Sequence, residues 1–195
     1  AAFGKVSEVI SADHIGFYDF ERFADIRPDW LFGYFGYDLK HETTGLASYN
    51  HDELHFPAVH FFQPRYVLFC ENDRLTLEYL EEKDTDQSAR EVVREIRQLR
   101  PVTANHQGVH HLYERLAREE YTQRLHQIKK HIQRGDIYEM NFCQEFFSFS
   151  PIDPYHTFLE LTQKSPAPFS CFCKLNEHFL LSSSPERFMR KTGSK

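Results

Sequence analysis

Apolar residues recur with helical spacing in two long stretches of the chain. From Ser88 to Leu99, the residues Ala89, Val92, Val93, Ile96 and Leu99 fall on one face with charges opposite, which predicts an amphipathic helix capped by Asp86 or Ser88. From about Glu119 to Arg134, Tyr121, Leu125, Ile128 and Ile132 share a face, and Gly135 stands where a C-terminal cap belongs. A third helix is predicted after Pro151, with Asp153 as its N-cap and Pro154 in its first turn.

The strand signals are aromatic. Trp30 to Leu39 reads as a buried strand in which Gly33 and Gly36 permit close backbone approach or a bulge. His41 to Pro57 is polar, contains Gly45, Asn50 and Asp52, and is expected to be a surface loop. Tyr66 to Cys70 and Leu75 to Leu80 alternate as a hairpin about Asn72 and Asp73. Ile137 to Phe149 reads as one long strand, and Phe169 to Lys174 with His178 to Ser184 as a strand pair about Asn176 and Glu177. The segment through Asp29 is mixed and predicts no single element. Periodicity vanishes from Arg100 to His111, which suits a linker between a sheet-rich region, 1–105, and a second region, 106–195. The order of elements predicts an α+β fold rather than a regular alternation. Neither an internal repeat nor a low-complexity tract is visible.

Composition narrows the class. At 195 residues there is room for one large domain or two small ones, and 19 Phe with 10 Tyr favour strands around an aromatic core. Twenty-three basic against 29 acidic side chains, a net charge of −6, argue against a nucleic-acid surface. No apolar run approaches the roughly 18 residues of a membrane helix, and the first residues lack the features of a signal peptide. The chain begins with Ala rather than Met and is expected to have been processed, trimmed or cut from something longer. Four cysteines are too few for a secreted disulfide scaffold, and no Cys-x-x-Cys occurs. Cys171 and Cys173 point to one face of a strand, where they are expected to be buried as small hydrophobes. A cytoplasmic location follows from this thiol usage.

The common catalytic templates are absent: there is no phosphate loop, no Gly-x-Gly-x-x-Gly and no Gly-x-Ser-x-Gly. Of the 12 histidines, His51 and His55 lie in a predicted loop, His110 and His111 in the linker, and His126 and His131 on a surface helix. None has the company of Cys or carboxylate that a zinc site needs, so solvated histidines are expected. Glu186 differs. It follows Ser182-Ser183-Ser184-Pro185 at the end of a predicted strand, where the proline ends the ladder and lets the carboxylate emerge at an edge or cleft. It can be read as a general acid or as an exposed glutamate paired with Arg187 or Arg190. Gly135-Asp136 reads as ordinary capping, and Asn141 and Gln144 as ligand-binding amides, satisfied core groups or solvent-facing side chains.

Three stretches in order carry a resemblance. Gly135-Asp136-Ile137-Tyr138-Glu139-Met140-Asn141-Phe142-Cys143-Gln144 resembles the Gly-Asp-x-x-Gln-x-Asn-x-x-Gln strand of the chorismate-binding enzymes. Ser165-Pro166-Ala167-Pro168-Phe169-Ser170 is similar to the Asn-Pro-x-Pro-(Phe/Tyr) turn of that family, and Leu181 to Phe188 to its Ser-Ser-Pro-Glu-Arg-Phe strand. Upstream, Gly33-Tyr34-Phe35-Gly36-Tyr37-Asp38 is similar to the family's Gly-Tyr-x-Gly-Tyr-Asp element. The family includes anthranilate, aminodeoxychorismate, isochorismate and salicylate synthases, and the Ala-Pro-Phe and Pro-Glu-Arg-Phe versions lean toward the para-aminobenzoate branch.

The resemblance implies an antiparallel sheet-rich chorismate-utilising fold, here incomplete, with residues 106–195 opening the catalytic region. It implies amination of chorismate at C4, dependent on Mg²⁺, with ammonia from a separate glutamine amidotransferase subunit. By position, Glu186 matches the motif glutamate that acts as general acid/base on the departing hydroxyl. Pro168, Phe169 and Ser170 match the turn that helps form a tryptophan pocket, and Asn141 and Gln144 lie on the motif strand near the site. Glu139 stands where the family often has Gln, and Glu145 where it often has Arg. In the family a Pro-Ile-Lys-Gly-Thr segment bearing a lysine nucleophile, the Mg²⁺-binding glutamates and the substrate-carboxylate binders follow the Pro-Glu-Arg-Phe motif. Here Lys195 comes nine residues after Glu186, so the resemblance implies a fragment that does not turn over chorismate alone. The other readings are anthranilate synthase, a truncated non-catalytic binding module and an unrelated aromatic-rich ligand-binding domain.

Overall fold

Mixed helix and antiparallel sheet is what the chain forms, as its alternating aromatic runs and amphipathic stretches predict. The structure, a computed structural model, describes residues 1–11, 16–100 and 111–193. Two compact units are present: Ala1–Val102 with Cys173–Leu180, and Thr103–Phe172 with Leu181–Lys195.

In the first unit the elements are β1 (Ala2–Ser11), α1 (Gly16–Asp25), β2 (Phe32–Phe35), a 3₁₀ turn (Tyr37–Leu39), α2 (Lys40–Thr44), β3 (Val59–Glu71), β4 (Arg74–Tyr79) and α3 (Asp86–Gln98). The long strand β3 organises the rest. It takes β1 along one edge, from Ala2 opposite Val67 to Ser11 opposite Val59. Its other edge takes β2 against Val59–Phe62 and β4 against Tyr66–Glu71. Val59 is fully buried, and Phe62, Tyr66, Val67, Phe23, Leu39, Ala89 and Leu175 are buried with it in this unit. Each of the valine, leucine and phenylalanine side chains stabilises the unit by roughly 1.5–3 kcal/mol when removed from water. Phe20, Phe35 and Phe61 form a three-ring cluster with centroids 4.5–4.9 Å apart, so part of the phenylalanine excess is spent between α1 and the sheet.

β3 starts seven residues earlier than the alternation from Tyr66 indicates, because Pro64 reads as a strand breaker. The proline is tolerated opposite Lys5, where the register of β1 shifts between Lys5 and Ser7. The segment Trp30–Leu39 forms only a four-residue strand before the 3₁₀ turn, and Phe35 is 44% exposed, so it is not one buried strand. Gly33 does allow close approach: a Cβ there would lie 2.0 Å from the His60 carbonyl oxygen. The expected loop after it begins instead with α2, whose Glu42 accepts hydrogen bonds from the Gly16 N–H (2.5 Å) and the Phe17 N–H (3.2 Å). Those two amides have no partner within the first turn of α1, and the carboxylate supplies one.

The hairpin turn at Asn72 and Asp73 is as predicted, with φ of 46° and 62°. The cap of α3 is neither Asp86 nor Ser88. Thr85 occupies it, accepting from the Ser88 N–H (3.4 Å) while Ser88 Oγ accepts from the Thr85 N–H (3.0 Å).

Next to that cap, the Asp84 side chain is completely buried. It accepts from Arg65 Nε (2.5 Å) and Nη2 (2.7 Å), from Tyr66 OH (2.8 Å) and from Ser88 Oγ (2.9 Å). Arg65 foremost, then the two hydroxyls, hold the carboxyl well below its ordinary value of 3.8, against the opposing effect of burial. A depressed carboxylate stabilises the fold above its unfolded pKa and loses that contribution as pH falls toward the folded one. Asp84→Asn is therefore expected to lower Tm by roughly 10 °C near neutrality. The gap to the unsubstituted protein should narrow below about pH 4. Thermal melts across pH 3–7 check this, and a gap that stays constant down to pH 3 rules it out.

Tyr34 donates its hydroxyl hydrogen to the Pro57 carbonyl (2.9 Å) and is pushed up to about 12, mainly by burial. Raised phenol values keep the folded state favoured up to the unfolded pKa of about 10 and withdraw that stability as pH rises beyond it. In a spectrophotometric titration Tyr34 is expected to ionise among the last of the ten tyrosines, and Tyr34→Phe to remove that step. A titration unchanged by the substitution would refute it.

The second unit contains β5 (Tyr113–Glu114), α4 (Arg118–Arg134), β6 (Phe146–Phe147) and α5 (Pro154–Lys164). It also holds the base of a hairpin, β7 (Phe169–Leu175) and β8 (His178–Ser184), whose tip groups with the first unit. α4 ends at Gly135 with φ 81°, and α5 starts with Asp153 accepting from the His156 N–H (3.0 Å), both as predicted. Ile137–Phe149 is not one long strand. Only Phe146 and Phe147 pair, with Glu114 and Tyr113. The remainder finds no ladder partner among the described residues, and Tyr138 and Met140 are exposed. Cys171 is exposed and Cys173 half-buried, so the thiol pair is less enclosed than its strand position predicts. Among the described residues no helix is long and apolar enough to cross a membrane.

Candidate functional site

The base of the β7–β8 hairpin brings two of the three motif stretches together. α5 ends at Lys164, and the chain turns through Ser165–Pro168 into β7; β8 returns and stops at Ser184, where Pro185 cannot continue the ladder. Ser183 Oγ donates to the Ser165 carbonyl, tying the end of β8 to the start of the turn. Ser170 Oγ donates to the Ala167 carbonyl (2.8 Å) and closes the turn on itself. The Arg187 guanidinium lies 5.1 Å from the centre of the Phe169 ring, a cation–π contact between the two motifs. Behind them, the rings of Tyr155 and Phe158 pack on Phe172 with centroids 6.2 and 5.6 Å apart, fixing α5 against β7.

Glu186 thus stands between the strand end and the Arg187–Phe169 contact. Its carbonyl accepts from Ser184 Oγ (3.0 Å), while its carboxylate is exposed and makes no ion pair or hydrogen bond among the described residues. It pairs with neither Arg187 nor Arg190. A general acid needs a partner oxygen within about 3 Å and a covered environment to tune it. The covering is not supplied by the described residues. Pro168 and Phe169 are exposed and Ser170 is half-buried, so the turn presents a ring and a proline to the surface beside that carboxylate.

The third stretch is not joined to this site by any hydrogen bond or ring contact among the described residues. Asn141 is exposed and makes no hydrogen bond among the described residues. Gln144 donates from Nε2 to the Leu116 carbonyl (2.7 Å), and its Oε1 is buried without a partner among the described residues. Phe142 stacks on Tyr121 with centroids 5.0 Å apart, which fixes the segment against α4. At its start, Asp136 accepts from Arg134 (2.5 Å) and pairs with His131 (2.7 Å); both, Arg134 foremost, hold its carboxyl below the ordinary value.

Glu145, the acidic departure from the family pattern, is occupied. Arg115 grips it with two bonds of 3.0 Å and lies 4.4 Å from the Phe147 ring. A single sequence carries no signal for a pair 30 residues apart, whereas Arg187 was within the quoted motif and its stacking role was missed. Of the histidines singled out from the sequence, His51 pairs with Glu53, His126 with the Thr122 carbonyl and His131 with Asp136, all three exposed. His110 and most of the predicted linker lie outside the described residues. His60, not singled out from the sequence, is buried, with Nε2 3.1 Å from Glu8. Among the described residues no group of three or more His, Cys, Asp or Glu side chains is arranged to hold a metal ion. These residues do not fit a Mg²⁺ site.

The family model described as chorismate binding enzyme matches residues 5–195. Aminodeoxychorismate synthase component 1 of Escherichia coli is 31% identical over 180 residues, covering 85% of this chain and 38% of that protein. Anthranilate synthase component 1 of Thermus thermophilus is 24% identical over 183 residues, covering 90% and 40%. The crystal structure of anthranilate synthase component I from Streptococcus pneumoniae superposes with a TM-score of 0.75 at 16% identity, covering 95% of this chain and 49% of that one. The chain spans less than half the length of each of these relatives.

Proposed function

Because the chain belongs to the chorismate-binding enzyme family, we propose that it is part of the large, aminating subunit of an aminodeoxychorismate synthase. One observation carries the reading. The turn at Ser165–Ser170 and the Pro185–Arg187 segment, both similar to the family's motifs, are held together at the base of one hairpin. The 31% identity to the Escherichia coli component, against 24% to the Thermus anthranilate synthase component, favours the C4 branch.

On this reading chorismate exchanges its C4 hydroxyl for an amino group, giving 4-amino-4-deoxychorismate and water. Glu186 donates a proton to the departing hydroxyl and takes one back from the attacking nitrogen, so the balance closes on one carboxyl group. Arg187 holds the turn by stacking on Phe169, and Asn141 and Gln144 line the motif segment. Residues 1–105 form the N-terminal sheet-rich region and 106–195 open the catalytic region. Chorismate, a glutamine amidotransferase subunit, Mg²⁺ and a cytoplasmic location belong to the same proposal and rest on the family resemblance.

The test is the product. The native coding region that contains this sequence is expected to rescue a para-aminobenzoate auxotroph and not a tryptophan auxotroph. Its purified protein should convert chorismate and ammonium to 4-amino-4-deoxychorismate. Rescue of the tryptophan auxotroph, with anthranilate as product, would move the assignment to anthranilate synthase, the activity in the name of the Thermus relative.

A further inference from the structure

A groove on the first unit has its own charge. It lies between β4 and α3, encloses about 410 Å³, and has Leu77, Tyr79, Ala89 and Val93 in its walls. Arg90, Arg94 and Arg97 line the same groove with one carboxylate, Asp86, which accepts from the Tyr79 hydroxyl (2.6 Å). Among the described residues none of the three makes an ion pair or a hydrogen bond, although Glu91 and Glu95 are on the same helix. Spacings of four and three place them on one face of α3, where like charges repel and weaken the helix. Only Arg97, in the last turn, is favoured by the helix dipole. A chain with a net charge of −6 therefore keeps three arginines in a row beside an apolar floor, none of them ion-paired among the described residues.

We propose that this groove docks an acidic amphipathic segment of a partner protein, its apolar side on Leu77 and Val93 and its carboxylates on the arginines. The spread of charge selects this occupant. Arg90 to Arg97 spans about 10 Å along the helix axis, too far for one small carboxylate or phosphate to reach all three. Acidic residues at helical spacing on a partner match it.

A fluorescein-labelled amphipathic peptide, with glutamates spaced by three and four and leucines between them, is titrated against the native full-length protein by anisotropy. Binding is expected at low salt, about 50 mM, and should weaken at about 300 mM. R90Q/R94Q/R97Q should weaken it by at least about tenfold, and so, to a smaller extent, should the single reversal R94E. K129Q/K130Q on α4 should leave it unchanged, and unaltered melting of each variant shows that folding is intact. Absence of binding by the unsubstituted protein, equal affinity in the triple variant, or equal binding of a peptide with the same residues scrambled would each overturn the proposal. A dimer of the unsubstituted protein that the triple substitution dissociates would also overturn it, by making a second copy the occupant.

Discussion

Under the proposed function, replacing Glu186 with Gln in the full-length protein is expected to lower kcat for chorismate amination by about 10²–10⁴-fold, with KM for chorismate changed little. Glutamine keeps the size and hydrogen-bonding shape of the side chain but carries no transferable proton. Because the carboxylate is exposed and without a partner among the described residues, the substitution should leave the melting temperature unchanged, which separates chemistry from folding. Steady-state rates of the two proteins decide the matter. A kcat within a factor of about three of the unsubstituted enzyme would remove Glu186 from the chemistry and leave it a surface residue at a strand end.

Gly33→Ala is expected to destabilise the first unit by at least ~3 kcal/mol, or to prevent its folding. The added Cβ would sit 2.0 Å from the His60 carbonyl oxygen and 2.6 Å from the Phe61 Cα, and backbone cannot rotate away as a flexible side chain can. β2 must then leave β3, and the ring cluster of Phe20, Phe35 and Phe61 loses one of its three members. Gly45→Ala is the matched control. Gly45 has φ 69° but nothing within 4 Å of an added Cβ, so only the left-handed strain of about 1–2 kcal/mol applies. Urea titrations followed by Trp30 fluorescence read both, since this single tryptophan stacks beside Phe32 of β2. Equal midpoints for the two alanine variants would show that the close approach at Gly33 carries no special cost.

What was legible in the sequence is what local physics determines. The α5 cap at Asp153, the left-handed Gly135 after α4 and the turns at Asn72 and Asn176 each follow from the conformations those residues favour nearby. β1 and α1 gave no clear pattern, because half of what defines them is pairing with β3 and contact with Glu42, distant in sequence. The long strand predicted from Ile137 failed for the same reason in reverse: its residues have strand character, but a ladder needs a partner. Pro64 hid the first half of β3, since its tolerance depends on the register shift across from it. At the candidate site, the motifs named Glu186 and the Ser165–Ser170 turn, yet not the Arg187–Phe169 contact or the Arg115 grip on Glu145. Those pairings exist only once the chain has folded back on itself.

The hairpin tip has a further meaning. Residues Cys173–Leu180 complete the first unit, where Asn176 meets Lys5 and His178 meets Leu54 and Phe56, yet the chain reaches them only after most of the second unit. The first unit is therefore not a contiguous stretch of gene. A recombination event with one crossover between codons 102 and 103 would deliver it without its tip, pairing an N-terminal sheet with a foreign β7–β8 hairpin. Inheritance should favour exchanging both units together, so chimaeras within this family are expected to survive best when residues 1–102 and 173–180 come from the same parent.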